Sequence, residues 1–157
     1  TGVPISTHTW SPEQVGNQQV RILLEEGVDL NGVYIGHSND DTDMDYLLGL
    51  LDQGVWLGLD RYPGGRLPGT PNWEQRTEIV KKLIDAGYCH RIMLSHDYSV
   101  PKARHGTEVQ QERRQANPDG YNFITRRVLP RLKELGVSDE DIHRIGEDNP
   151  RRFFQGG

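Results

Sequence analysis

The chain repeats one unit four times: a short β-rich run that ends in a polar residue, followed by a segment with helical periodicity. The four runs end at His8, His37, Asp60 and Asp97. Strands that alternate with helices of this length indicate βαβ units and a parallel sheet. The predicted fold class is therefore α/β, and four such units correspond to half of a (β/α)₈ TIM barrel.

Half of a barrel has two open sheet edges, which favour association with any strand that can pair with them. We therefore expect another half of the barrel, or another chain, to cover these edges. No linker or low-complexity tract indicates a second domain. Residues 1–157 are accordingly predicted to form a single half-barrel region.

Helix boundaries can be predicted from capping residues. Ser11, Pro12 and Gln14 match a helix start, with a capping serine, proline at the first helical position and glutamine at the capping-box position. A second helix is expected to begin near Thr42 or Asp43. Residues 98–120 form a long polar segment, and helical patterns follow at 123–135 and 141–154, the last with a capping box at Ser138 and Asp141.

Composition excludes several classes of function. The formal net charge is −5, with both signs spread along the chain, so no basic face for nucleic acid is predicted. No apolar run approaches the roughly 20 residues that cross a bilayer, so no membrane association is expected. The single cysteine, Cys89, excludes an internal disulfide and fits a reducing compartment, which suggests a cytoplasmic location.

The residues at the strand ends are the candidates for chemistry, because parallel α/β folds bind ligands at the carboxyl ends of their strands. His8, His37 and Asp97 could converge on a divalent metal. Imidazole suits zinc, cobalt, nickel or iron, and a carboxylate adds a ligand that also accepts a proton from bound water. The alternative is that each is a hydrogen-bonded strand-end residue. A metal-free barrel enzyme, such as a phosphate-sugar isomerase, also fits this pattern.

Four segments around these strand ends occur in a characteristic order. They are Thr7-His8-Thr9, Ile35-Gly36-His37-Ser38, Gly58-Leu59-Asp60-Arg61-Tyr62 and Leu94-Ser95-His96-Asp97-Tyr98. In combination they resemble the second half of the phosphotriesterase family, within the amidohydrolase superfamily. The first four residues and the terminal Asn149-Pro150-Arg151-Arg152-Phe153-Phe154 are similar as well, so the resemblance covers essentially the whole chain.

The resemblance implies a metal-dependent hydrolase with two divalent metal ions, zinc first and cobalt, iron or manganese as alternatives. In that family the metals activate a bridging hydroxide. His8 and His37 match ligands of the more exposed metal. Asp97 matches a ligand of the more buried metal that also takes the proton from the hydroxide. Arg61 and Tyr62 match a loop pair that lines the substrate pocket. The segments Asp60-Arg61-Tyr62 and Ser95-His96-Asp97-Tyr98 resemble the lactonase-like branch more than the paraoxon-specialised enzymes. Lactones are thus the expected substrates, with organophosphate triesters as slower ones.

The sequence departs from the family in one large respect. It contains no His-x-His pair, and its start corresponds to a point after the family's bridging lysine. Those residues are contributed by another polypeptide, lost from this chain or absent altogether. The expected partners are the N-terminal half of the barrel or a second chain, with a homodimer favoured. The alternative function is a catalytically inactive half-barrel that folds and self-associates.

Two further strand-end residues have less specific predictions. Asp60 is expected to be held by hydrogen bonds, although it could bind substrate or hold Arg61. His96 should point away from Asp97 unless the strand has already ended, because neighbouring side chains alternate along a strand, and it is expected to pack or to form a hydrogen bond.

Overall fold

The computed structural model describes residues 2–65, 68–97 and 107–156. Tyr98, the last residue of the fourth strand-end segment, lies outside them. The strands are β1 (Ile5–Thr7), β2 (Val33–Ile35), β3 (Trp56–Leu59) and β4 (Ile92–Leu94). The α-helices are α1 (Val15–Glu25), α2 (Met44–Asp52), α3 (Trp73–Asp85), α4 (Thr107–Ala116), α5 (Leu129–Glu134), α6 (Asp139–His143) and α7 (Asn149–Gln155). Two π-helical segments, Ile124–Val128 and Arg144–Asp148, lead into α5 and α7. Across these described ranges, no helix has both the length and the apolar character to cross a membrane.

The four strands form one parallel sheet in the order β1-β2-β3-β4. Thr7 lies opposite Ile35, and Leu59 lies opposite Leu94. Ile35 lies opposite Leu57, so β3 and β4 extend two residues beyond the level at which β1 and β2 end. The residues that follow the four strands share one edge of the sheet. The predicted fold class, α/β with four βα units, is confirmed.

The two faces of the sheet pack differently because successive side chains on a strand point to opposite sides. One face, which includes Ile35, Leu57 and Ile92, joins the main hydrophobic core with the helices. On the other face, Trp56 and Met93 form a separate cluster with Phe153 of α7. The sheet is thus covered by helices on one face and, on the other, partly by α7.

Most of the predicted helix boundaries agree with the structure. Asp43 caps α2 by accepting hydrogen bonds from the backbone N–H groups of Asp45 and Tyr46. Ser138 likewise accepts from the N–H of Asp141 and caps α6. The helix α4 lies inside the segment that was predicted only as polar, since its sequence has few apolar residues to mark a helical period.

The predicted cap at Ser11 is wrong. Residues Ser11–Glu13 form a 3₁₀ turn without a side-chain cap, and α1 begins only at Val15. The Ser11 hydroxyl is buried and donates instead to the backbone carbonyl of His37, at 2.9 Å. This long-range hydrogen bond replaces the predicted helix cap because the fold places Ser11 beside His37, just past the end of β2.

Candidate metal centre

Two of the predicted metal ligands face each other at the ends of neighbouring strands. His8 follows β1 and His37 follows β2, and His37 Nε2 lies 2.9 Å from His8 Nδ1. The two rings meet edge to face, with centroids 4.5 Å apart. His8 is exposed at the edge of the sheet, whereas His37 is 8 % exposed. The two ring nitrogens therefore face each other, and solvent reaches the pair from the His8 side.

Asp60, at the end of β3, fixes the orientation of His37. Its Oδ1 accepts from the backbone N–H of His37 at 2.9 Å and lies 2.8 Å from His37 Nδ1, while its Oδ2 accepts from the hydroxyl of Tyr34 at 2.9 Å. A carboxylate only accepts, so the proton of neutral His37 sits on Nδ1 and leaves the Nε2 lone pair facing His8. Burial, followed by the charge of Asp60, raises the pKa of Tyr34 and keeps its hydroxyl protonated as a donor. The expectation that hydrogen bonds hold Asp60 is confirmed, and its main partner is His37 rather than Arg61.

The backbone at His37 is specialised for this placement. His37 has φ +62°, in the left-handed region that side chains adopt rarely. The preceding Gly36 allows β1 to approach closely, since a Cβ there would lie 2.3 Å from the carbonyl oxygen of Thr7. With Ser11 bonded to the carbonyl of His37 and Asp60 bonded to its N–H, both peptide groups are fixed.

Asp97, the third predicted ligand, is held by Arg61 rather than by the histidines. Arg61 Nε donates to Asp97 Oδ2 at 3.2 Å, and Arg61 Nη1 donates to Asp40 Oδ2 at 2.6 Å. The Asp40 side chain is 2 % exposed, whereas that of Asp97 is 52 % exposed. Arg61 thus links a buried carboxylate to an accessible one. Its own backbone N–H donates a hydrogen bond to Asn39 Oδ1.

A cavity of about 210 Å³ opens beside this network. Its lining residues are Asp40, Arg61, Tyr62, Gly64, Gly65, Thr70, Arg76, His96 and Asp97. Tyr62 forms an apolar part of the wall: its side chain is 1 % exposed and stacks on Phe123 at 6.5 Å between ring centroids. The two loop residues predicted to line a pocket, Arg61 and Tyr62, therefore lie together with Asp97 around one cavity.

His96 has a packing role beside the same cavity. Its Nε2 accepts from the backbone N–H of Ile124 at 3.4 Å, and its ring meets the ring of Tyr121 edge to face. Partial burial lowers the pKa of His96 and favours its neutral form. The expected hydrogen-bonded histidine is found.

Comparison with known proteins shows the family to which the chain belongs. The sequence profile of the Phosphotriesterase family matches residues 1–154. The chain belongs to the phosphotriesterase family. It is 40% identical over 160 residues to a phosphotriesterase homology protein of Mycobacterium tuberculosis, covering all of this chain and 47% of that protein. It is 36% identical to an aryldialkylphosphatase of Saccharolobus solfataricus, covering 98% and 48% of the two.

A solved structure extends the similarity to three dimensions. The phosphotriesterase from Mycobacterium tuberculosis superposes with a TM-score of 0.87 at 38% identity, over 97% of this chain and 45% of that one. This phosphotriesterase-family chain thus spans about half the length of the curated relatives it matches.

The donors that this phosphotriesterase-family chain presents fit a metal only in part. Within the described residues, no group of three or more His, Cys, Asp or Glu side chains is gathered closely enough to hold a metal ion. The His8–His37 pair does fit one that prefers nitrogen ligands, because Asp60 fixes the tautomer of His37 as carboxylates commonly do for ligating histidines. Catalytic zinc takes about three protein ligands, so a tight site needs at least one ligand beyond the pair.

Sequence reasoning missed two residues that line this cavity, Asp40 and Arg76. Asp40 comes three residues after His37, and its position just past a strand end was a signal that could have been used. Arg76 gave no signal, because an arginine among the charged residues of a helix is usually exposed. In the structure it is 1 % exposed and donates to Asp40 Oδ1 at 2.7 Å.

Proposed function

We propose that this chain carries half of the active site of a metal-dependent hydrolase that opens lactones or cleaves organophosphate esters. The observation that carries the proposal is the facing pair of ring nitrogens on His8 and His37, with the tautomer of His37 fixed by Asp60. Family membership supports hydrolysis as the reaction class. The position of the pair at the carboxyl ends of parallel strands supports a catalytic rather than a structural role, and Asp97, which also follows a strand, lines a cavity.

In this proposal, different residues of the chain bind the two metal ions. His8 Nδ1 and His37 Nε2 would hold one metal ion, with the proton of neutral His8 transferred from Nδ1 to Nε2, and Asp97 would bind a second. Zinc is the first choice, with cobalt, iron or manganese as alternatives. When bound, divalent metals supply Lewis-acid chemistry that activates water near neutral pH.

Asp97 is proposed to accept the proton of the attacking water. Arg61 donates to its Oδ2, which leaves Oδ1 as the proposed proton acceptor. Its half-exposed side chain reaches the cavity, as a proton acceptor for bound substrate must. Arg61 and Tyr62 line the space for substrate, and the apolar face of Tyr62 suits the aliphatic part of a lactone.

The remaining ligands are proposed to come from residues outside this chain. The sequence has no His-x-His pair, and it spans about half the length of its relatives. The polypeptide that supplies these ligands is the first half of the barrel or a second chain. For the chain alone, the proposed assembly is a homodimer. The second candidate function, an inactive half-barrel that self-associates, is favoured by the two strands, β1 and β4, that have one paired neighbour each in the described sheet.

Metal titration tests the ligand assignment directly. We expect the imidazole NMR signals of His8 and His37 to shift or broaden on addition of Zn²⁺ or Co²⁺, and His8→Ala or His37→Ala to abolish the effect. The matched control is His90→Ala, since His90 is an exposed histidine outside the pair. Equal responses from the His90 signal and the pair would reject a specific site.

Turnover separates the two candidate functions. Hydrolysis of a lactone and of a paraoxon-like ester is measured with the chain alone and with a polypeptide that supplies the first half of the barrel. The hydrolase proposal predicts activity that chelation removes and that Asp97→Asn lowers by at least about a hundredfold. A folded, metal-free and inactive protein under both conditions would favour the half-barrel, and activity that survives both chelation and Asp97→Asn would reject the metal mechanism.

A further inference from the structure

Arg76 of α3 is almost fully buried and uses all three of its side-chain nitrogens. Nε donates to the carbonyl of Pro71 at 2.9 Å, Nη1 donates to the carbonyl of Asn39 at 2.6 Å, and Nη2 donates to Asp40 Oδ1 at 2.7 Å. A buried cation needs a nearby anion, and Asp40 provides it. These contacts join two separate parts of the chain: the turn after β2 and the loop between β3 and α3.

The loop is built around the guanidinium group. We name its described residues, 63–65 and 68–71, the cavity loop. A Cβ on Gly64 would lie 1.9 Å from Arg76 Nε, so the backbone of the loop passes directly against that side chain. The carbonyl of Pro71 also accepts from the N–H of Gly65 at 3.1 Å. One carbonyl therefore receives both the hydrogen bond that closes the loop and the hydrogen bond from Arg76.

The same arginine reaches the candidate catalytic carboxylate through two intermediates. Asp40 accepts from Arg76 with one oxygen and from Arg61 with the other, and Arg61 in turn donates to Asp97. Gly64, Gly65 and Thr70 of the cavity loop line the same cavity as Asp97 and Arg61. Arg76 thus bonds both the cavity loop and the turn after β2, and its planar fork fixes the distance between these two segments.

We propose that Arg76 is a positioning residue that fixes the shape of the cavity, and so the size of substrate accepted, by clamping the cavity loop to the turn after β2. The substrate part of this proposal rests on the proposed hydrolase function; the clamp itself does not. Lysine cannot reproduce the clamp, because it has one nitrogen on a flexible stem where arginine has three in a plane.

Amide hydrogen exchange on the chain tests the clamp without any need for activity. In Arg76→Lys we expect the Gly65 amide to exchange at least about tenfold faster, with the amides of β3 changed less than about twofold. Arg144→Lys is the control, since Arg144 pairs with Glu140 on the surface. An unchanged Gly65 amide in Arg76→Lys would overturn the clamp.

Two neighbouring glycines provide a matched pair in case Arg76→Lys is globally unstable. Gly64 and Gly65 have φ +75° and +70°, so alanine strains the backbone alike at both. Only at Gly64 would the new methyl group meet Arg76; at Gly65 nothing lies within 4 Å. Gly64→Ala should accelerate exchange across the cavity loop by at least about tenfold relative to Gly65→Ala. Equal exchange in the two variants would overturn the clamp.

Substrate selectivity tests the functional part in the metal-loaded enzyme with a complete barrel. We expect Arg76→Lys to change the ratio of kcat/KM between a long-chain and a short-chain lactone by about tenfold, mainly through KM. Arg144→Lys, the surface control, should leave the ratio within about twofold. Equal losses on both lactones would reject the selectivity role and leave a purely structural one. A parent enzyme without turnover would reject the proposed hydrolase function, and amide exchange would then decide the clamp alone.

Discussion

Unusual backbone conformations coincide with the candidate ligands. Among the described residues, the non-glycine positions with positive φ are Gln14, His37 and Asp97. Such conformations cost about 1–3 kcal/mol each and persist where surrounding contacts over-determine them, often at functional sites. For His37 those contacts are the bonds to Ser11 and Asp60. Two of the three positions are predicted metal ligands, which supports a functional reason for the strain.

Asp60→Asn should weaken metal binding with little effect on the fold. Asparagine keeps the shape and can still accept the His37 N–H, but it lacks the charge that holds the proton of His37 on Nδ1. We expect a 10- to 100-fold lower affinity for Zn²⁺, roughly the usual effect of removing such a partner. Isothermal titration measures it, with Asp85→Asn as the control because Asp85 pairs with Lys81 on the surface of α3, away from the histidines. An unchanged affinity would contradict the role of Asp60.

Cys89 is predicted to be unreactive in the folded chain. It is 6 % exposed, and burial raises the pKa of its thiol from 9.0 to about 12. The thiolate is the nucleophile, and three pKa steps make it about a thousandfold scarcer at pH 8. Alkylation by iodoacetamide at pH 8 should therefore be slow in buffer and fast in urea, followed by intact mass. Rapid alkylation of the native chain would show that the thiol is ionised or accessible.

The residues that could be predicted from sequence are those with a local signal. His8, His37, Asp60 and Asp97 stand at the ends of recognisable strands, and the parallel register brings strand ends together. Ser11 carried a local capping signal, but its hydroxyl binds the carbonyl of His37, 26 residues away. Arg76 meets Asp40 across 36 residues. Pairings of that kind depend on how the helix packs, which residue type alone does not reveal.

At the level of elements, the approach of β1 to β2 depends on Gly36. Its φ is not positive, so the backbone conformation itself tolerates a side chain. The obstacle is steric, because an added Cβ would lie 2.3 Å from the Thr7 carbonyl oxygen. Gly36→Ala should lower the free energy of unfolding by about 2 kcal/mol, in the range for overpacked sites. Urea denaturation measures it. Gly32→Ala is the matched control: nothing lies within 4 Å of its new methyl group, so a change within about 0.5 kcal/mol is expected.

Elements with an amphipathic period were easier to predict than those without one. The strands and the helices α2 and α3 have regular apolar positions and side-chain caps at Asp43 and Asn72. The helix α4 has almost no apolar residues, and its mean hydropathy resembles that of a loop. Composition therefore could not distinguish it from the polar segment around it.

For the whole molecule, exposed apolar side chains are concentrated in the first βα unit. Of the large hydrophobic residues that are exposed in the described ranges, Val3, Trp10, Ile22 and Leu24 belong to it, and Tyr121 and Phe154 lie elsewhere. The edge strand β1 belongs to the same unit. An open strand edge and exposed apolar side chains both favour association with another protein surface. This is where we expect a second copy, or the other half of the barrel, to bind.

The double variant Ile22→Lys and Leu24→Lys should reduce self-association of the chain. Both side chains are about half exposed on α1, so lysine is tolerated in the monomer but places two charges in the expected interface. Sedimentation velocity across a concentration series should show a dimer for the parent and a dissociation constant raised at least about tenfold in the variant. Gln111→Lys with Gln115→Lys adds the same charge on exposed positions of α4 and should leave the dimer intact. A parent that stays monomeric throughout would contradict the homodimer, whereas loss of the dimer in both double variants would attribute the effect to net charge rather than to the surface of α1.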